Sequence, residues 1–279
     1  LNQNFTYSQT LESQESILEQ LSYQAGIKNI YPDLKSYIDI KNNYFIIYFK
    51  IYFKPSYYEN IHIDHDIAIY YLREIIQFYV SSSFEDSVTF QVESDAVVSV
   101  INIYDKKTKE IEDEVNKISK KLGNEEEYLF FTIVFSKICE DISQLNEAYS
   151  FVTEISEYRQ PFPTIQVLSD ANLYTSCNKF YFSLEQEEQL LNLLYNGQST
   201  ECIDLIDEIL EYNASKNVNC LYMQALCHEI ANCCTKILIK YYYDIPKEIE
   251  SASIYFHIRE CATVNSFKEV LGGYVSKVT

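Results

Sequence analysis

Tryptophan is absent from this chain, methionine occurs once, and glycine and proline occur five times each in 279 residues. So few glycines leave little room for a backbone cradle around phosphate. No Gly-x-Ser-x-Gly elbow, phosphate-binding loop or dinucleotide fingerprint occurs, so nothing in the wording argues for catalysis. Long apolar runs are also missing. Tyr44 to Phe53 is well short of the roughly 18 apolar residues of a membrane span and is interrupted by Lys50. Basic residues are scarce, with 22 Lys plus Arg against 41 Asp plus Glu and a net charge of −19. Nucleic-acid affinity comes largely from cations on phosphates, so this chain repels DNA over most of its surface. Any contact with DNA has to come from a segment outside this sequence. No signal-peptide pattern is present, and Leu1 in place of a methionine points to a processed or excised piece of a longer chain.

The length predicts two domains, each able to bury its own core, and the 47% hydrophobic content is ordinary for a globular protein. The richness in Ile, Asn, Lys and Tyr reads as codon usage of an AT-rich genome. There are eight cysteines but no Cys-x-x-Cys pair. Cys220, Cys227 and Cys234 fall seven apart with Met223, Ile230 and Ile237 between them, a heptad stripe on a helix from about Val218 to Tyr241. That spacing sets the sulfurs about 10 Å apart along the axis, too far to share a zinc ion. The cysteines are expected to be free thiols acting as small hydrophobes, in a reducing, cytoplasmic setting.

Along the chain, a polar start leads into a helix over Thr10–Ala25, either packed on its own domain or the tail of a dimerising helix. A buried strand follows at Tyr44–Phe53, apolar on both faces. A helix over Ile67–Val80 carries Ile67, Tyr71, Ile75 and Phe78 on one stripe. Two strands, Val88–Val92 and Val97–Ile103, flank a turn at Glu93-Ser94-Asp95-Ala96. Then come a charged helix over Lys109–Leu122, a strand at Tyr128–Phe135, a helix at Ser143–Tyr158 and a last strand at Thr164–Leu168. The order predicts an α+β domain, a mainly antiparallel sheet with helices packed on it. After Ser176 only helices are expected.

In Phe182–Asn213, Ser183 and Gln186 form a capping box, and Leu184, Leu190, Leu191 and Leu194 follow at helical spacing. Gly197 suits a left-handed C-cap, and Ser199 or Thr200 is expected to cap a second helix carrying Ile203, Ile206, Ile209 and Leu210. The cysteine helix comes next, then a helix opened by Pro246. A final apolar piece, Phe267–Tyr274, is interrupted by Gly272-Gly273. Together these make a small bundle.

The Phe182–Asn213 wording resembles the helical hairpin that precedes the DNA-binding domain in one class of AraC-type transcription regulators. The preceding element order, over about Asn42 to Tyr174, resembles the GGDEF domain of diguanylate cyclases, and more closely the degenerate GGDEF-like domain of such regulators. Laying Phe53-Lys54 on the cyclases' Phe-Lys pair puts Phe49 and Ile51 where metal-binding acids belong. Laying the hairpin on the signature turn puts Glu93 and Ser94 at its two glycines, followed by Asp95, Ala96 and Val97. Only Asp95 survives, and Glu93 would repel phosphates, so the resemblance implies no cyclase activity.

His62-Ile63-Asp64-His65-Asp66 gathers two imidazoles and two carboxylates. His62, Asp64 and His65 could ligate a divalent metal if the histidines share a helical face. The other reading is a polar N-terminal turn with Asp64 or Asp66 capping the next helix. His228 and His257 stand alone.

The fold expected is thus α+β: an N-terminal helix and linker over 1–36, a degenerate GGDEF-like sheet domain with flanking helices over 37–175, and an all-α connector over 176–279. The function implied is signal relay and dimerisation for a regulator whose helix-turn-helix domain follows Thr279. No cofactor is expected. The partners would be a second copy, an unknown effector and DNA through the missing domain, with a sensor or membrane segment upstream. The alternatives are an acidic cytoplasmic interaction or scaffold module, and a non-catalytic nucleotide sensor.

Overall fold

The computed structural model describes residues 43–61, 63–104, 108–123, 127–170, 179–241 and 251–279. The expected N-terminal segment 1–36, its Thr10–Ala25 helix and the Pro246 helix start lie outside the described residues. The chain divides into two compact units. One comprises Leu1–Ser156 with Thr164–Asp170, the other Glu157–Pro163 with Ala171–Thr279.

The first unit is a five-stranded mixed sheet with helices, ordered β2-β3-β1-β4-β5. Its strands are β1 (Asn43–Phe53), β2 (Ser87–Glu93), β3 (Ala96–Ile103), β4 (Leu129–Phe135) and β5 (Gln166–Leu168). Strand β1 runs antiparallel to both β3 and β4, β2 and β3 form a hairpin, and β4 pairs in parallel with β5. The helices are α1 (Pro55–Asn60), α2 (His65–Ser83), α3 (Thr108–Leu122) and α4 (Leu145–Ser156). Each strand and long helix predicted here is present, in the predicted order.

Period-two alternation on β1 sends Phe45, Ile47, Phe49 and Ile51 to one side of the sheet. There they form a core with Ile69, Leu72, Ile76 and Val80 of α2 and Ile111, Val115, Ile118 and Leu122 of α3. The other side of β1 presents Tyr44, Ile46, Tyr48 and Lys50, and α4 packs across β1 and β4. A strand covered on two sides has to be apolar on both faces, as β1 is apart from its lysine.

The expected stripe on α2 is overturned. Ile67, Tyr71 and Phe78 are 51%, 58% and 68% exposed, and the helix instead buries Ile69, Leu72, Ile76 and Val80. Both stripes are apolar at helical spacing, so periodicity alone does not select which one meets the sheet.

The second unit is helical: α5 (Leu184–Tyr195), α6 (Ser199–Ser215), α7 (Cys220–Tyr241), α8 (Ser251–Glu260) and α9 (Val264–Val278). The Ser183–Gln186 capping box is formed in both directions, and Gly197 takes φ +66 at the end of α5. The cap expected at Ser199 or Thr200 is not found. Helix α6 starts at Ser199, and Gln198 holds the N-cap position without a side-chain cap bond. Leu184, expected on the apolar face, is 80% exposed.

The cysteine stripe is buried as predicted, with Cys220, Cys227, Cys234, Met223, Ile230 and Ile237 at 4% exposure or less. All seven described cysteines are free and buried. Gly272-Gly273 does not interrupt the last helix. Helix α9 runs through both because Phe267, Leu271, Tyr274, Val275 and Val278 bury one face. Gly272 lies over Ile203 of α6, and that packing offsets the roughly 1 kcal/mol helix cost of each glycine.

Residues 157–163 act as a strap within this helical unit. The Arg159 and Glu157 carbonyls accept from the Cys220 and Leu221 N–H groups at 2.8 and 3.2 Å. The Pro161 carbonyl accepts from Val264 N–H at 3.1 Å. Two helix N-termini thereby gain partners for orphan donors. The Arg159 guanidinium is 1% exposed and donates to the Phe162 carbonyl at 2.6 Å.

Candidate functional site

The hairpin turn joining β2 to β3 is where the sequence placed its signature-like residues, and the fold gathers charge there. Glu93 ends β2, Ser94 and Asp95 form the turn, and Ala96 opens β3 with Glu93 as its cross-strand partner. Among the described residues the only non-glycine with positive φ is Asn217, so this turn needs no glycine. A bulge between Gln91 and Glu93 absorbs the extra residue of β2 and re-aims the Glu93 side chain.

The register of the sheet sets Lys50 of β1 opposite Ala96 on one side and Thr132 on the other. Its ammonium lies 2.8 Å from Asp95 Oδ1 and 3.2 Å from Glu93 Oε2. The Ile51 N–H donates to the Asp95 carbonyl at 2.8 Å, fixing the turn to the strand. Tyr149 of α4 extends the cluster, its hydroxyl donating to Glu93 Oε1 at 3.4 Å. The Tyr149 ring meets Tyr48 edge-on, with centroids 6.3 Å apart.

Burial pulls the Lys50 ammonium down, but the charge and hydrogen bond of Asp95, with Glu93 behind it, outweigh this and raise its pKa above the ordinary lysine value. Burial, then the Glu93 charge, pushes the Tyr48 and Tyr149 hydroxyls up. At neutral pH the cluster is therefore a protonated amine, carboxylates and two neutral phenols. A lysine held as ammonium is no Schiff-base nucleophile, and neither phenol supplies a phenolate. The arrangement locks a turn.

Phe49 and Ile51, the positions set against metal-binding acids, point into the apolar core and are 0% and 1% exposed. Ala96 and Val97 are likewise fully buried. Of the five turn residues named from the sequence, Glu93 and Asp95 converge on Lys50.

The histidine cluster is not brought together. His62 lies outside the described residues. Asp64 caps α2, accepting from the Asp66 N–H at 3.0 Å, and the His65 ring packs on Phe53 with centroids 4.7 Å apart. Among the described residues no three His, Cys, Asp or Glu side chains group as a metal site. His228 packs edge-on against Tyr255, and burial lowers its pKa.

Reading the sequence alone passed over Lys50, Tyr48 and Tyr149 as site residues. A signal for Lys50 was there: one charge inside a strand otherwise apolar on both faces has to reach a counter-ion. Among the described residues no helix is long and apolar enough to cross a membrane. Comparison with protein-family models, with curated proteins and with solved structures finds no match for this chain.

Proposed function

We propose that this chain is the regulatory portion of an AraC-type transcription regulator. In this reading a degenerate, non-catalytic GGDEF-like domain is followed by a helical connector that leads to a DNA-binding domain. The observation that carries it is the lysine at the hairpin turn. Lys50 fills the space between Glu93 and Asp95 with its own positive charge, at the turn where a cyclase holds nucleotide phosphates. A site closed in this way needs neither metal nor nucleotide to hold its shape. The element order of the sheet unit and the capping box at Ser183 support the same reading.

The module would dimerise and restrain the DNA-binding domain on the cytoplasmic side, in response to an effector or an upstream sensor. A signal acts by shifting the population between two arrangements, which takes a differential interaction of a few kcal/mol. With a net charge of −19, this portion leaves DNA contact to the following domain. A second reading, an acidic protein-interaction module unrelated to transcription, draws support from the apolar solvent-facing stripe of α2.

Calorimetric titration with GTP and with a cyclic dinucleotide tests the closed turn. The expected result is no saturable heat. Saturable binding abolished by Asp95→Asn would overturn the closed-turn reading in favour of a nucleotide sensor.

A further inference from the structure

Helix α2 is apolar on two opposite sides, and only one of them is used within its own unit. The buried side carries Ile69, Leu72, Ile76 and Val80, while Ile67, Tyr70, Tyr71 and Phe78 stand 41% to 68% exposed. Its neighbour α3 packs on the same face of the sheet and shows the ordinary pattern. There Glu110, Glu112, Asp113, Lys117 and Lys120 cover the outer side of a single buried stripe. A helix apolar all round is normally a covered helix, and contiguous apolar surface marks an interaction site.

We infer that the outer stripe of α2 is the contact between two copies of this chain, paired antiparallel about a twofold axis near Glu74 and Ile75. This deepens the dimerisation part of the function proposed above and rests on it. An isologous contact has to be self-complementary, and this stripe is. Under such an axis Tyr71 faces Phe78 of the partner copy and Ile67 faces the partner copy's Ser82.

The ends complement each other as well. At the N-terminal end Asp66 has an 86% exposed side chain. At the other end, about 25 Å along the axis, Lys121 of α3 donates to Ser82 Oγ at 3.1 Å and sits over the Tyr79 ring. Antiparallel pairing brings each acid to the other copy's lysine. A parallel pair would set acid on acid. Glu74, the acid within the stripe, is already paired with Arg73 of its own helix.

The exposed part of the four apolar side chains amounts to about 400 Å² per copy. That falls below the roughly 800 Å² per partner of a standard stable interface, so the contact is a weak one, strengthened by whatever joins the copies elsewhere. The expected behaviour is a concentration-dependent dimer that forms in the tens of micromolar (~10–100 µM).

Sedimentation equilibrium on the chain as it stands tests this. The wild type should pass from monomer to dimer with rising concentration, and Tyr71→Glu with Phe78→Glu should weaken association about tenfold or more while circular dichroism stays unchanged. Orientation is read from cysteine cross-linking. Glu74→Cys lies at the axis and should form a linked dimer under mild oxidation, whereas Ile67→Cys should not, since the two copies of that position sit about 22 Å apart. A wild type that stays monomeric throughout overturns the inference. A dimer indifferent to the double substitution removes this surface and leaves dimerisation in the regulatory reading standing. A linked Ile67→Cys dimer overturns the antiparallel pairing.

Discussion

Replacing Lys50 with methionine keeps the length and volume of the side chain and removes its charge. The cost follows from where the charge sits. A hydrogen bond to an ionised group contributes about 1.5–3 kcal/mol, while a fully exposed ion pair contributes about 0.2–1 kcal/mol. Lys50 and Asp95 side chains are 22% and 25% exposed and meet at 2.8 Å, which places that contact towards the upper range. Glu93 is 40% exposed at 3.2 Å and adds less. The substitution also leaves two carboxylates facing each other without a cation. We expect Lys50→Met to destabilise the sheet unit by about 2 kcal/mol, a fall in Tm of about 8 °C.

Urea unfolding followed by circular dichroism and tyrosine fluorescence measures this, since the chain has 26 tyrosines and no tryptophan. The decisive quantity is a double-mutant cycle. Asp95→Asn in the Lys50→Met background should cost less than in the wild type, with a coupling of about 1 kcal/mol or more. A Lys50→Met loss under about 0.5 kcal/mol, or a coupling near zero, would refute the argument that Lys50 locks the turn.

Other expectations follow from the same structure. Asn213 is fully buried; its side chain accepts from Tyr181 N–H at 2.7 Å and donates to the Tyr181 and Ile209 carbonyls at 2.8 Å. Asn213→Leu should destabilise the helical unit by about 2–3 kcal/mol in urea melts, because it strands the backbone groups of Tyr181; an unchanged midpoint would contradict this. Burial pushes the Cys220 thiol up to about 12 and those of Cys202, Cys233 and Cys261 up to about 11, from an ordinary 9.0. A folded pKa above the unfolded one means stability that is complete below pH 9 and lost as pH rises through 11 to 12. The urea midpoint should therefore fall steadily above pH 9, and a flat or rising profile would count against the burial of these thiols.

The strands were legible because their signals are local. Tyr44–Phe53 is apolar on both faces and must be central, and two β-branched runs around a short polar turn must pair. Caps at Ser183 and Gly197 were readable for the same reason, each being set by neighbours within four residues. What failed was whatever depends on the partner. Both stripes of α2 satisfy helical periodicity, and only the sheet decides between them. Gly272-Gly273 looks like a break until Ile203 of α6 is set against it. The strap at 157–163 carries no periodic signal, since its bonds are to helix ends far away in the chain. At the candidate site, Glu93 and Asp95 were named from the turn. Lys50 was seen only as an interruption, because its partners lie more than forty residues away.

The regulatory reading depends most directly on what the native gene encodes after Thr279. Sequencing that reading frame should give about 100 further residues with two helix-turn-helix motifs and a basic recognition helix able to enter the major groove. A stop codon at that point would contradict the transcription reading and favour an acidic interaction module in its place.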